Sequence, residues 1–425
     1  MANILLKNVN TIDRPANKST CIGIKDDIIL FINEQLPADF IPDTTINCEN
    51  KLATSGFINT HTHAAMVLFR SYADDMQLMD WLQNKIWPIE AKLSANDIYW
   101  GSMLAICEML KSGTTTFADM YFFMNETAKA VEQTGIRAVL ARGLAGDDSS
   151  DDTKILENAQ LFKDWHNEAD GRITVMFGPH APYTCSKKFI QRVITQAKKL
   201  DAGIHIHLSE TKGEVENCVS KYGKTPIEHM NDIGLFECPT IAAHCVFITD
   251  EEISLMSEKG VSVAHNPQSN LKLASGVAPV DKMLKNGIVL GLGTDGASSN
   301  NNLDMYEEMR LVSMLHKGIS NDPLVITAKE SFEMATINGA KALKLNKIGS
   351  IEAGYKADIV LYDIDKPHWQ PKFNLCNNFV YAGGAGDVDT VIIDGKILLQ
   401  KGTLLTIDEE RVKYEIGECV KTFIK

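Results

Sequence analysis

Between residues 55 and 347 the chain repeats one pattern eight times: a short apolar run, a polar residue that closes it, and a longer segment before the next run. The runs are Gly56–Thr60, Thr114–Ala118, Ala138–Ala141, Thr174–Phe177, Ile204–Ile206, Thr240–Ala243, Val261–Ala264 and Val289–Leu292. Most are separated by segments with helical spacing of apolar residues, such as Ala95–Leu110, Ser186–Leu200 and Asp250–Glu258. Strands that alternate with helices pair in parallel, because a parallel partner is reached only through a long crossover. Eight such units predict an α/β architecture closed into a (β/α)8 TIM barrel over 55–347. The rival, an open doubly wound sheet, carries a glycine-rich first turn, and no GxGxxG follows the first run.

The two ends of the chain differ from this middle and resemble each other. Residues 1–54 alternate short β-rich runs, such as Ile22–Ile24 and Ile28–Ile32, with polar turns. In the C-terminal part Asp358–Tyr362 and Val391–Ile393 read as strands, and Asp394-Gly395 turns the chain back into Lys396–Leu399, a strong hairpin signal. Neither end is long enough to bury a sufficient core alone. The expectation is therefore one small β-sandwich domain built from 1–54 and 348–425 together.

Composition narrows the class of partner. Lys and Arg total 42 against 55 Asp and Glu, a formal net charge of −13. Nucleic-acid affinity rests on clustered basic side chains, so no nucleic-acid partner is expected. No stretch approaches the roughly 18 consecutive apolar residues of a membrane span, so no membrane partner is expected either. The first residues lack a basic segment followed by a long apolar core, so no secretory leader is read there. Nine cysteines are scattered without a CxxC pair and read as reduced, mostly buried thiols, which points to the cytoplasm. A homo-oligomer is compatible with this composition and not required by it.

Barrel enzymes place their chemistry where the strands end. The closing residues are, in order, His61 and His63, Asp119, Arg142, His180, His207, His244, His265 and Asp295; seven of the eleven histidines lie on or just after a predicted strand. On a strand, residues i and i+2 share a face, so His61 and His63 enter the barrel mouth together. Converging neutral imidazoles suit zinc or a similar first-row ion. His207, closing the fifth strand, is the natural third ligand. Asp295, closing the eighth and so lying beside the first in a closed barrel, completes the set. His205 shares the face of His207 one step deeper and reads more simply as a core histidine. Barrel hydrolases with two metals bridge them through a lysine on the fourth strand, and Thr174-Val-Met-Phe-Gly-Pro-His has none, so one divalent ion is expected. Glu210, three residues after His207, could carry protons to a leaving group. His244 could orient an attacking water.

This constellation resembles the amidohydrolase superfamily, in its mononuclear nucleobase-deaminase branch. The motifs that carry the likeness are Gly56-Phe-Ile-Asn-Thr-His-Thr-His, His207-Leu-Ser-Glu, Ala242-Ala-His-Cys and Gly293-Thr-Asp-Gly, with Gly354-Tyr-Lys-Ala-Asp-Ile-Val marking the return of the split β domain. Within the superfamily the chain is similar to 5′-methylthioadenosine/S-adenosylhomocysteine deaminases. The supporting segments are Asp80–Glu90, Phe177-Gly-Pro-His-Ala-Pro-Tyr, His265-Asn-Pro-Gln-Ser-Asn-Leu-Lys-Leu and Thr294-Asp-Gly-Ala-Ser-Ser-Asn. The resemblance implies zinc on His61, His63, His207 and Asp295, with Glu210, His244 and Asp295 in proton transfer. It implies hydrolytic deamination at C6 of a purine nucleoside: 5′-methylthioadenosine, S-adenosylhomocysteine or adenosine. Glu90 would bind the ribose hydroxyls, Trp81 line the pocket, His180 contact the purine, Arg142 meet an amino-acid tail, and Ser299 touch the substrate. Read as residues alone, Trp81 and Glu90 also fit an ordinary amphipathic helix, and Arg142 a strand-end ion pair. One departure stands at Lys154, where relatives present a second arginine to the tail; lysine lacks the planar fork that grips a carboxylate. The other substrates weighed for the same metal site are guanine or another aminated heterocycle, and a halogenated triazine.

Overall fold

The computed structural model describes residues 3–15 and 18–423. Its first strands are β1 (Asn3–Thr11), β2 (Thr20–Lys25), β3 (Ile28–Asn33), β4 (Thr44–Asn47) and β5 (Lys51–Ser55). β1 shifts register between Leu6 and Val9, with Asn8 in the left-handed region at φ 63°. β2 runs along it on both sides of the shift, while β4 pairs with it before the shift and β5 after. One bent strand thereby serves two half-sheets. The second half is completed from the far end of the chain by β14 (Ile359–Asp363), β15 (Val388–Ile393), β16 (Lys396–Gln400) and β17 (Thr403–Leu404), with β14 antiparallel to β5. The nine strands form one bent sheet enclosing Leu6, Val9, Ile22, Ile24, Ile359 and Leu361. The expected hairpin is present: Asp394 and Gly395 both take positive φ, 52° and 73°. A side chain at Gly395 would start 1.7 Å from the Asp26 carbonyl oxygen, so only glycine fits that turn.

The barrel strands are β6 (Phe57–Thr62), β7 (Thr114–Tyr121), β8 (Arg137–Leu144), β9 (Ile173–Pro179), β10 (Ile204–Leu208), β11 (Thr240–His244), β12 (Ser262–His265) and β13 (Leu290–Leu292). Each pairs in parallel with the next, and all are buried on both faces, as parallel sheets under helices must be. Side chains carry much of the seam between β13 and β6. Thr60 Oγ1 donates to the Leu292 carbonyl at 2.8 Å, the Asn59 side chain brackets Thr294 at 2.7 and 3.0 Å, and the Asp295 N–H donates to the His61 carbonyl at 3.0 Å. A Cβ on Gly293 would meet Asn266 Oδ1 at 2.5 Å and the His61 nitrogen at 2.8 Å. The Gly-Thr-Asp sequence is thus the condition for drawing β13 onto β6.

The barrel helices start where the sequence supplies reciprocal caps, as at Ser94/Asp97, Thr249/Glu252 and Thr327/Glu330. The C-terminal helix Glu409–Phe423 packs on the barrel helix Ala95–Lys111, with Phe423 edge-on to Phe69 at 5.6 Å and Arg411 over the Trp100 ring. At the start of β8, the buried Arg137 pairs with Asp358 at 2.9 Å and Asp394 at 3.2 Å, tying the barrel to the terminal sheet. Among the described residues no helix is long and apolar enough to cross a membrane.

Candidate active site

Four side chains from three strands converge at the C-terminal mouth of the barrel. His61 Nε2 lies 3.4 Å and His63 Nε2 3.3 Å from Asp295 Oδ1, and His207 Nε2 lies 3.3 Å from His63 Nε2. The other ring nitrogens set the tautomers. His63 Nδ1 donates to the Met120 carbonyl at 2.6 Å and His207 Nδ1 to the His180 carbonyl at 2.7 Å. Both Nε2 lone pairs therefore face each other, an arrangement that repels unless a cation sits between them. His61 Nε2 is buried with no hydrogen-bond partner. Tetrahedral nitrogen and oxygen ligands on zinc, at roughly 2.0–2.1 Å from the ion, stand roughly 3.3–3.4 Å from one another, the spacing seen here. Possible ligand atoms cluster in two overlapping groups, His61–His63–Asp295 and His61–His207–His244, each able to contribute to holding a metal ion, so His61, His63, His207 and Asp295 are candidate ligands and His244 stands directly against them.

A supporting layer orients these four. His61 Nδ1 is 2.8 Å from His205 Nε2, so His205, read from sequence as a core histidine, is bonded directly to a candidate ligand. Asp295 takes φ 60° and accepts from Ser269 Oγ at 2.6 Å, Ser299 Oγ at 3.0 Å and the Gly296 N–H at 2.8 Å. Burial would raise its carboxyl pKa, but the adjacent His61 ring and the other surrounding imidazoles hold it well below the usual carboxylate range. Burial pushes His61 down to about 4, so the ring is neutral and available as a ligand.

Beside this group His244 Nε2 is 3.8 Å from Glu210 Oε2. Burial raises the Glu210 carboxyl above its ordinary range against the pull of His244. The same burial would depress His244, but Glu210, Asp295 and a 2.8 Å contact from its Nδ1 to Asn270 Oδ1 hold it above its usual value. Asn270 lies in the His265–Leu273 segment singled out in the sequence, but its bond to His244 is recognisable only once the helix Pro267–Lys272 is folded beside β11.

These groups floor a cavity of about 460 Å³ that His63, His180, His207, Glu210, His244 and Asp295 line at the polar end. Its walls come mainly from the segment Leu78–Glu90, which places Leu78, Trp81, Leu82, Ile86, Trp87 and Glu90 on it. That segment is helical with a π turn at Leu82–Ile86, a shift in register that suits a functional wall. Trp81 is pinned by its indole N–H to the Ala73 carbonyl, and Glu90 accepts from the Tyr121 hydroxyl at 2.6 Å. Burial keeps the Glu90 carboxyl above its ordinary range. His180 faces the cavity with Nδ1 2.9 Å from Thr184 Oγ1, and its burial lowers it to about 3. Ser299 is at the cavity wall, but its hydroxyl is already turned to Asp295.

Three strand-end residues are placed elsewhere. Arg142 does not line this cavity: its guanidinium pairs with Glu157 at 3.0 Å, lies over the Phe122 ring, and borders an adjoining chamber that shares Trp87, Glu90 and Phe122. Lys154 reaches the main cavity instead. Asp119 accepts from the Ala64 N–H and Thr62, fixing the turn after His63, and His265 faces His316 in the barrel wall.

A barrel with three histidines and an aspartate at its mouth, beside a bent sheet shared by both chain ends, defines a class of metal-dependent hydrolase. The chain belongs to the amidohydrolase family, whose model matches residues 52–398. It is 54% identical over 423 residues, 99% of each chain, to the 5-methylthioadenosine/S-adenosylhomocysteine deaminase of Dictyoglomus thermophilum. Among solved structures it is similar to an adenosine deaminase from Xanthomonas campestris with bound zinc, at 34% identity and TM-score 0.93 over 99% of this chain and 98% of that one. A triazine hydrolase from Arthobacter aurescens, at 22% identity and TM-score 0.91 over 99% of this chain and 100% of that one, shares the fold.

Proposed function

We propose that the chain hydrolytically deaminates an adenine nucleoside at C6, releasing ammonia and the inosine analogue, with 5′-methylthioadenosine and S-adenosylhomocysteine as its substrates and adenosine as a third. The observation that carries this is the pair Glu210 and His244 beside two overlapping clusters of possible metal ligands, His61–His63–Asp295 and His61–His207–His244, beneath a wall that offers Trp81, Glu90 and His180. A divalent ion, zinc by the donor set, held by His61, His63, His207 and Asp295, supplies the Lewis acidity that brings the pKa of water near neutrality.

The chain's own groups do the rest. Asp295 and His244 orient the attacking water and Asp295 takes one of its protons. The water oxygen bonds to C6 while Glu210, whose carboxyl burial pushes above its ordinary range, delivers a proton to N1. The proton held by Asp295 passes to the amino group, the C6–N bond breaks with its electron pair leaving on nitrogen as ammonia, and the C6 hydroxyl returns its proton to the Glu210 carboxylate as the C6 carbonyl forms. Glu90 has one oxygen occupied by Tyr121 and presents the other to paired ribose hydroxyls. Trp81 packs on the apolar face of the nucleoside, and His180 bonds the purine. Arg142 meets an amino-acid tail only by exchanging Glu157 for it, with Lys154 as a second positive charge; Ser299 contributes through Asp295. Residues 55–347 are the catalytic unit in this reading, and 1–54 with 348–425 its support. The nine unpaired cysteines, eight of them buried, favour a reducing compartment, the cytoplasm.

The test is ammonia release from 5′-methylthioadenosine, S-adenosylhomocysteine, adenosine and guanine, and halide release from a halogenated triazine, measured side by side with metal-loaded protein. Turnover of the adenine nucleosides alone is expected; guanine or triazine as the best substrate would overturn the assignment. Glu210→Gln should keep its metal and lose about 10²–10⁴-fold in kcat.

A further inference from the structure

The loop that presents Glu210 is shaped by a second carboxylate that does not line the cavity. Glu214 stands in the first turn of the helix Lys212–Tyr222, where Thr211 caps its N–H, and its side chain folds back under the loop. Its Oε1 accepts the backbone N–H of Ser209 at 3.0 Å and its Oε2 that of Glu210 at 2.8 Å. Ser209, between β10 and Glu210, takes φ 52°, a conformation that costs energy in a residue with a side chain and persists only where its surroundings impose it. The Ser209 carbonyl is held from the other side, accepting the N–H groups of Val246 (3.0 Å) and Phe247 (2.9 Å), just after His244. The peptide units that lead into Glu210 are thus gripped through their N–H groups by Glu214 and through a carbonyl by the loop that follows β11.

We infer that Glu214 is a positioning residue for the reaction: its carboxylate fixes the 209–210 backbone in the turn that aims Glu210 into the cavity and toward His244. This rests on Glu210 being the proton carrier. Both Glu214 oxygens are acceptors in use, and Glu214 is buried, so no water stands ready to replace it. An amide at this position keeps the volume but offers only one acceptor and turns an NH2 against a backbone N–H. The Glu210 carboxyl would then lose its aim, and misplacement of a catalytic group by about 1 Å costs on the order of 100-fold in rate.

Glu214→Gln and Glu210→Gln should be prepared as full-length, metal-loaded protein and compared with wild type for metal content, Tm, kcat and KM. The expected result for Glu214→Gln is full metal content, KM within about threefold of wild type, and kcat down about 100-fold. A role confined to the fold would lower Tm and leave kcat per folded, metal-loaded molecule unchanged; that outcome, beside an inactive Glu210→Gln, overturns the inference alone. Wild-type turnover in Glu210→Gln would remove the catalytic reading itself, and the inference with it. Should Glu214→Gln fail to fold, Glu214→Asp carries the test, because it keeps two acceptor oxygens with a shorter reach. Faster amide exchange confined to residues 208–213 with about a tenfold loss in kcat would support the role, and unchanged exchange with unchanged kcat would refute it.

Discussion

At the scale of single residues, the convergence of His61, His63, His207 and Asp295 is legible because strand periodicity alone puts their side chains at one end of the barrel. What lies one bond further out is not. His205 has the spacing of a buried filler, and only the packed β6 and β10 reveal that it meets His61 Nδ1 at 2.8 Å. Rings that hold metal ligands in one tautomer tune affinity as well as geometry. His205→Leu should weaken metal retention about 10–100-fold, read by competition with a chelator, while His205→Gln, which returns an oxygen acceptor, should recover most of it. Arg142 was legible as one of two things, a contact for an amino-acid tail or a strand-end ion pair; the structure makes the ion pair, with Glu157, a helix residue whose approach no spacing encodes.

At the scale of elements, the eight barrel strands stand where the apolar runs predict them, since fully buried parallel strands leave an unbroken apolar signature. The terminal sheet was legible as two partial sets of strands with a hairpin at Asp394-Gly395, but the bend in β1 that serves both half-sheets was not, because an asparagine such as Asn8 tolerates the left-handed region without requiring it. The π turn within Leu78–Glu90 was likewise hidden, as its apolar spacing reads as a plain helix. The seam between β6 and β13 is made largely by side chains and one close approach. Gly293→Ala would drive a methyl group into Asn266 Oδ1 and the His61 backbone. Loss of about 1–3 kcal/mol is expected from such overpacking, measurable by denaturant titration, together with poorer metal binding because His61 is what moves.

At the scale of the whole molecule, barrel and terminal sheet are joined by the buried cluster of Arg137, Asp358 and Asp394. Replacing Arg137 with Met keeps much of the volume but leaves the buried Asp358 without its cation and Asp394 with Lys356 alone, at 3.2 Å, and should cost about 3–5 kcal/mol in unfolding free energy. Asp358→Asn combined with Asp394→Asn in the Arg137→Met background should return part of that loss; the triple variant no better than the single would point away from charge as the cause. The route of the chain through this joint has a consequence during synthesis. β5 ends at Ser55 and its antiparallel partner β14 begins at Ile359, a gap of 359 − 55 = 304 positions. A ribosome adding ~5–20 residues each second needs about 15–60 s to cover it. For that interval the emerging polypeptide holds β5 with one flank bare, so this flank, more than any barrel strand, is the surface on which a nascent chain of this design stands exposed to chaperones and to pairing with its neighbours on the same message.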